Sequence, residues 1–139
     1  MNIDLAGLNW FAVLTAAAAS FMIGGVWYAA LFGKAWARAY GYTEEQLKAM
    51  GANPARTFSL MFVCDAVSAA VIAAIAQAAG VAGAVEGVVL GVLLWLGVAA
   101  ANGLQVHLGS GRPFGGFVID TGKQLVALAV VGLVIGVWR

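Results

Sequence analysis

The chain has 139 residues, 63% of them hydrophobic and 9% charged, with a mean hydropathy of +0.97 and a formal net charge of +1. A water-soluble domain carries about 25% charged residues, so this composition excludes one, and the near-neutral balance gives no basis for a nucleic-acid partner. The single cysteine, Cys64, allows neither an internal disulfide nor a thiol-exchange pair.

Four apolar runs, 8–32, 57–80, 85–108 and 115–138, each reach the roughly 20 residues needed to cross a bilayer core. Lipid offers no partner to open backbone groups, and the runs lack the strict alternation of barrel strands, so all four are predicted to be helices. The expected fold class is all-α: a polytopic membrane protein, one transmembrane domain built as a four-helix bundle. The opening MNIDLAGLNW has no basic segment of the kind that precedes a cleaved signal, so the first run is read as a retained span.

After the first span, residues 34–40 are expected to continue the helix into the headgroup zone, with Trp36 and Tyr40 as interface aromatics. Gly41 is a stop. Thr43-Glu44-Glu45-Gln46 has the form of a capping box, with Tyr42 and Leu47 placed as a hydrophobic staple, and predicts a short interfacial helix ending near Gly51. Asn53-Pro54 then separates that helix from the second span.

The run Gly24-Gly25-Val26-Trp27-Tyr28-Ala29-Ala30-Leu31-Phe32-Gly33-Lys34-Ala35-Trp36, preceded by Asn9-Trp10 and followed by Thr43-Glu44-Glu45, resembles a bacterial family of small four-helix integral membrane proteins catalogued as a domain of unknown function. Its signature is a glycine, Trp-Tyr, Leu-Phe-Gly and a second Trp; Trp95-Leu96-Gly97 adds a diffuse likeness, and Lys123 is outside the pattern. The resemblance implies the four-span layout and names no activity.

Spans two to four are joined by tight glycine-rich turns, which predicts that they are sequential antiparallel neighbours. Lys34, Arg38, Lys48, Arg56 and Arg112 fall on one side of the membrane and only Arg139 on the other, beside Asp4 and Glu86. By the positive-inside rule the expected location is the bacterial inner membrane, with both termini periplasmic. Gly83, Gly87 and Gly91 recur every four residues in span three, Gly132 and Gly136 in span four, and Ala66, Ala70 and Ala74 in span two. Such stripes bring helices close, within one chain or across a homo-oligomer seam. No repeat relating the first pair of spans to the second is visible.

At a rise of 1.5 Å per residue, Asp65 falls about 12 Å from the cytoplasmic boundary, Asp120 about 8 Å, Lys123 about 12 Å, Asn102 about 9 Å and Trp27-Tyr28 about 6–8 Å. Gln105 and His107 lie nearer the boundary, while Thr15, Ser20, Gln77 and Glu86 are assigned to the outer half. Intramembrane ionisable groups cost several kcal/mol, usually face protein or water and often mark function. Asp120 and Lys123, one turn apart, can pair with acid preceding base, which leaves Asp65 as an unmatched carboxylate that is protonated, shares Lys123 with Asp120, or takes His107 as its partner.

The ligand-binding candidates are therefore Asp65, Asp120, Lys123, Asn102, Tyr28, Trp27 and His107, binding or conducting a proton, an ion or a small polar solute of unknown identity. The same residues also make sense as an interhelical clasp that sets register. Ser110 and Arg112, in Gly109-Ser110-Gly111-Arg112-Pro113, are a weaker candidate for a lipid headgroup. One histidine without ligands at metal spacing predicts no metal or haem, no cofactor is expected, and no catalytic motif appears, so the chain leans away from an enzyme. Two alternatives stand beside solute binding: an assembly subunit packing through its glycine faces, and a lipid-modifying membrane enzyme.

Overall fold

The polar residues that punctuate the apolar runs become helix caps. In the computed structural model, which describes residues 2–138, Asn9 opens α1 (Trp10–Val26), its side chain accepting from the Ala12 N–H at 3.1 Å. Thr43 and Gln46 form both halves of the capping box that starts α3 (Glu44–Met50). Asn53, with Pro54 in the first turn, opens α4 (Pro54–Ala79), which Gly80 ends in the left-handed conformation (φ 69°). Gly111 (φ 65°) likewise ends α6 (Ala101–Ser110) ahead of α7 (Phe114–Val137).

Two helices carry a widened turn of the π type. Residues Trp27–Leu31 follow α1 and Trp95–Ala100 follow α5 (Ala84–Leu94), so that α1 with its turn, and α5 through α6, each run as one span. Four helical stretches are long and apolar enough to cross a membrane: Trp10–Leu31, Pro54–Ala79, Ala84–Ser110 and Phe114–Val137. These match the expected runs to within a few residues, and the chain is an all-helical, multi-pass membrane protein. Arg139, the one basic residue assigned to the outer side, lies outside the described residues.

The packing order differs from the chain order. α7 is central and touches α1, α4 and α5, whereas α4 and α5 barely meet despite their short connection. The expectation that spans two and three are packed neighbours is therefore corrected. A short turn constrains only the two helix ends it joins, and the glycine stripe of α5 draws that helix onto α7 instead. Gly87 and Gly132 meet backbone to backbone, Gly91 lies on the Leu128 carbonyl, and the Gly83 N–H donates to the Gly136 carbonyl at 2.8 Å. Small residues also join α1, α4 and α7, where Ala12, Val13, Ala16, Ala17, Ala69, Ala73 and Val131 are buried. In lipid, such close van der Waals contact is what holds helices together.

The first connection is also corrected. After Phe32 leaves helical geometry (φ −120°, ψ 2°), α2 (Gly33–Tyr40) starts anew and packs on α7 instead of extending α1 outward. Trp36 and Tyr40 are accordingly turned inward, toward a carboxylate that needs hydrogen-bond donors.

Candidate functional site

Asp120 stands in the second turn of α7 and is half-buried. A carboxylate withdrawn from water needs partners for both oxygens, and three aromatic residues supply them. The Tyr28 hydroxyl donates to Oδ1 at 2.5 Å, the Trp36 indole N–H to Oδ1 at 3.0 Å, and the Tyr40 hydroxyl to Oδ2 at 2.6 Å. No cation pairs with Asp120 among the described residues. The expected Asp120–Lys123 pair is thus replaced by neutral donors from the first widened turn and from α2.

Several glycines and a second aromatic set make room for this arrangement. A Cβ on Gly116 would overlap the Tyr40 ring, and one on Gly122 would come within 3.1 Å of Trp27 Cζ2. Trp27 can then donate its indole N–H to the Ile119 carbonyl at 3.0 Å. From the other flank Trp95, which begins the second widened turn, donates to the Thr121 carbonyl at 2.8 Å and approaches the Thr121 hydroxyl at 3.1 Å. Trp27 and Trp95 therefore grip the α7 backbone on either side of Asp120.

The cluster extends through Tyr40 to α6. His107 Nδ1 lies 2.9 Å from the Gly103 carbonyl, which can only accept, so Nδ1 carries a proton. Nε2 lies 2.9 Å from the Tyr40 hydroxyl, which is also 2.6 Å from Asp120 Oδ2. With a neutral imidazole and an ionised carboxylate, Tyr40 has one proton for two acceptors. One further proton on the Asp120–Tyr40–His107 chain would satisfy every contact. Tyr42 stacks on Tyr40 with ring centroids 5.5 Å apart, and Phe117 meets His107 edge-on at 5.2 Å. Burial first, then the hydrogen bond to Asp120, push the Tyr40 hydroxyl above the ordinary tyrosine range, with Arg112 acting in the opposite sense.

Asp65 and Lys123 belong elsewhere. Asp65 is not unmatched, because the Ser20 hydroxyl donates to its Oδ1 at 2.7 Å across α1 and α4. Ser20 therefore sits at the depth of Asp65, not in the outer half. The Lys123 side chain crosses Gly24, where a Cβ would lie 3.1 Å from its Cε. Lys123 and Asp65 line one open groove beside α4.

Asn102 does not join the polar layer, since it is exposed and donates to its own helix at Val98 (2.8 Å). Ser110 likewise donates to Val106 at 2.7 Å, and Arg112 lies exposed in the turn after it. Among the described residues no group of three potential metal ligands converges. The structure thus gathers Tyr28, Asp120 and His107, adjoins Trp27, and adds two residues read from sequence as interface aromatics, Trp36 and Tyr40. The available signal was their spacing, since Tyr28, Trp36 and Tyr40 recur at multiples of four in a stretch that also carries charge.

The family described as "Protein of unknown function (DUF1761)" matches residues 11–136. No curated protein and no solved structure matches the chain.

Proposed function

The chain belongs to the DUF1761 family, and for this member we propose a proton-binding role: the Asp120–Tyr40–His107 chain takes up one proton and so sets how firmly α2 is held on α7. The observation that carries this reading is the single Tyr40 hydroxyl placed between two acceptors, Asp120 Oδ2 and His107 Nε2. With the added proton, imidazolium, phenol and carboxylate form an unbroken donor–acceptor series. Without it, one of the two contacts has no hydrogen, and the cover formed by α2 loosens. The other ionisable and charged groups facing the chain are Tyr28 from the first widened turn, Tyr42 beyond α2, and Arg112 after α6.

The loop charges support opening toward the cytoplasm of an inner-membrane protein. Between the cluster and the opposite membrane face, α1, α4 and α7 meet through buried Ala, Val and Ile side chains. This supports proton binding from one side over conduction across the bilayer. It also leaves the α5–α7 glycines buried within the chain, so that an assembly partner would have to use other faces.

His107 is the one histidine in the chain, so nitrogen NMR of histidine-labelled protein in lipid reads it directly. At one fixed pH, Tyr40→Phe and Asp120→Asn should each move the Nε2 signal away from its wild-type position, because each removes a partner from the chain that shares the Tyr40 proton, and each should speed hydrogen exchange in α2. Identical Nε2 signals in wild type and both variants would overturn the proposal.

A further inference from the structure

A groove of about 620 Å³ lies where the end of α3 and the following loop meet one face of α4, with Lys123 of α7 at its inner end. It shares no residue with the Asp120 cluster. Its apolar wall includes Met50 at the end of α3 and, within the second span, Leu60 and Met61, whose exposure there means contact with lipid. Arg56 stands near its mouth, in the first turn of α4, and Asp65 and Lys123 stand within. From Arg56 to Asp65 the helix advances by about 13 Å, roughly the depth from a phosphate layer into the upper acyl region.

The charge on Lys123 is unspent. It makes no hydrogen bond or ion pair among the described residues, yet no buried side-chain nitrogen or oxygen there lacks a partner. Its ammonium therefore keeps surface open to the groove. An uncompensated lysine within a span is costly, so the groove is built for something that neutralises it. Asp65 does not serve, being engaged by Ser20 and lying beyond ion-pair distance of Lys123. With Arg56 and Lys123 cationic and Asp65 ionised, the groove holds one net positive charge.

We infer that this groove binds an anionic phospholipid, its phosphodiester between Lys123 and Arg56 and an acyl chain along Leu60 and Met61. A monoanionic headgroup matches the net charge. Gly24 is part of the site, because the absence of a Cβ there lets the lysine stem cross α1 into the groove.

The test is native mass spectrometry of the full chain in nanodiscs of equal parts phosphatidylglycerol and phosphatidylcholine with matched chains. Wild type should retain phosphatidylglycerol preferentially, and Lys123→Met and Arg56→Gln should each lower that preference roughly fivefold. Lys123→Arg, which keeps the charge, should preserve it, and separates a lost contact from a lost fold. Glycerol phosphate, which has the anion without the chain, should not displace the bound lipid. Equal retention of the two lipids, a preference unchanged in both neutral variants, or displacement by glycerol phosphate would each overturn the inference.

Discussion

Lys123 lies one helical turn beyond Asp120 on α7 and makes no ion pair with it. The two side chains leave the helix toward different neighbours: Asp120 to Tyr28, Trp36 and Tyr40, and Lys123 across Gly24 toward α4. Removing the charge from each should therefore have separate effects. Asp120→Asn should speed hydrogen exchange in α2, whereas Lys123→Met should leave it at the wild-type rate. Equal loosening of α2 in both variants would show the two groups to be coupled after all.

The α5–α7 contact depends on the absence of side chains. A Cβ on Gly132 would run into the Gly87 carbonyl, while one on Gly25 would meet nothing within 4 Å. Gly132→Ala should push the helices apart and cost on the order of 1–3 kcal/mol, as overpacking does. Gly25→Ala, on an open face of α1, should be neutral or mildly stabilising. Reversible unfolding in mixed micelles distinguishes the two, and equal stabilities would contradict the packing described.

Alkaline pH should release α2. The docked Tyr40 hydroxyl is held above its ordinary value, first by burial and then by Asp120. Below about pH 10, the ordinary tyrosine value, docked and undocked forms both keep the phenolic proton, and ionisation of Tyr40 takes nothing from the contact. Above it the undocked form ionises first, so docking weakens as pH rises. Exchange in α2 should accelerate above about pH 10. In Asp120→Asn, tyrosinate absorbance should appear at lower pH, and an unchanged absorbance titration would remove Asp120 as a cause.

Much of the layout could be read locally. The spans follow from run length, and the caps at Asn9, Thr43 and Asn53 follow from side chains that satisfy helix N–H groups within three residues. What could not be read depends on which helices face each other. The Asp120–Lys123 spacing allows a pair on an isolated helix, and only the proximity of α2 shows why it does not form. Trp36 and Tyr40 have the composition of an interface belt, and their inward turn depends on Phe32 breaking the helix. Asp65 reads as unmatched when Ser20 is placed by its count along the helix, and only the contact of α1 with α4 brings the hydroxyl to the carboxylate.

The central position of α7 has a consequence for how the protein is made. The first two spans can pair as soon as they leave the ribosome, through Ala12, Ala16 and Ala17 against Ala69 and Ala73. The third has almost nothing to lean on at that stage, since its glycine seam fits only the fourth. Insertion of the fourth span then does two things together, recruiting the waiting third helix and giving Asp120 the donors that the first hairpin carries. The carboxylate thus enters a bilayer that already holds its partners, and α2 gains its place only as α7 arrives.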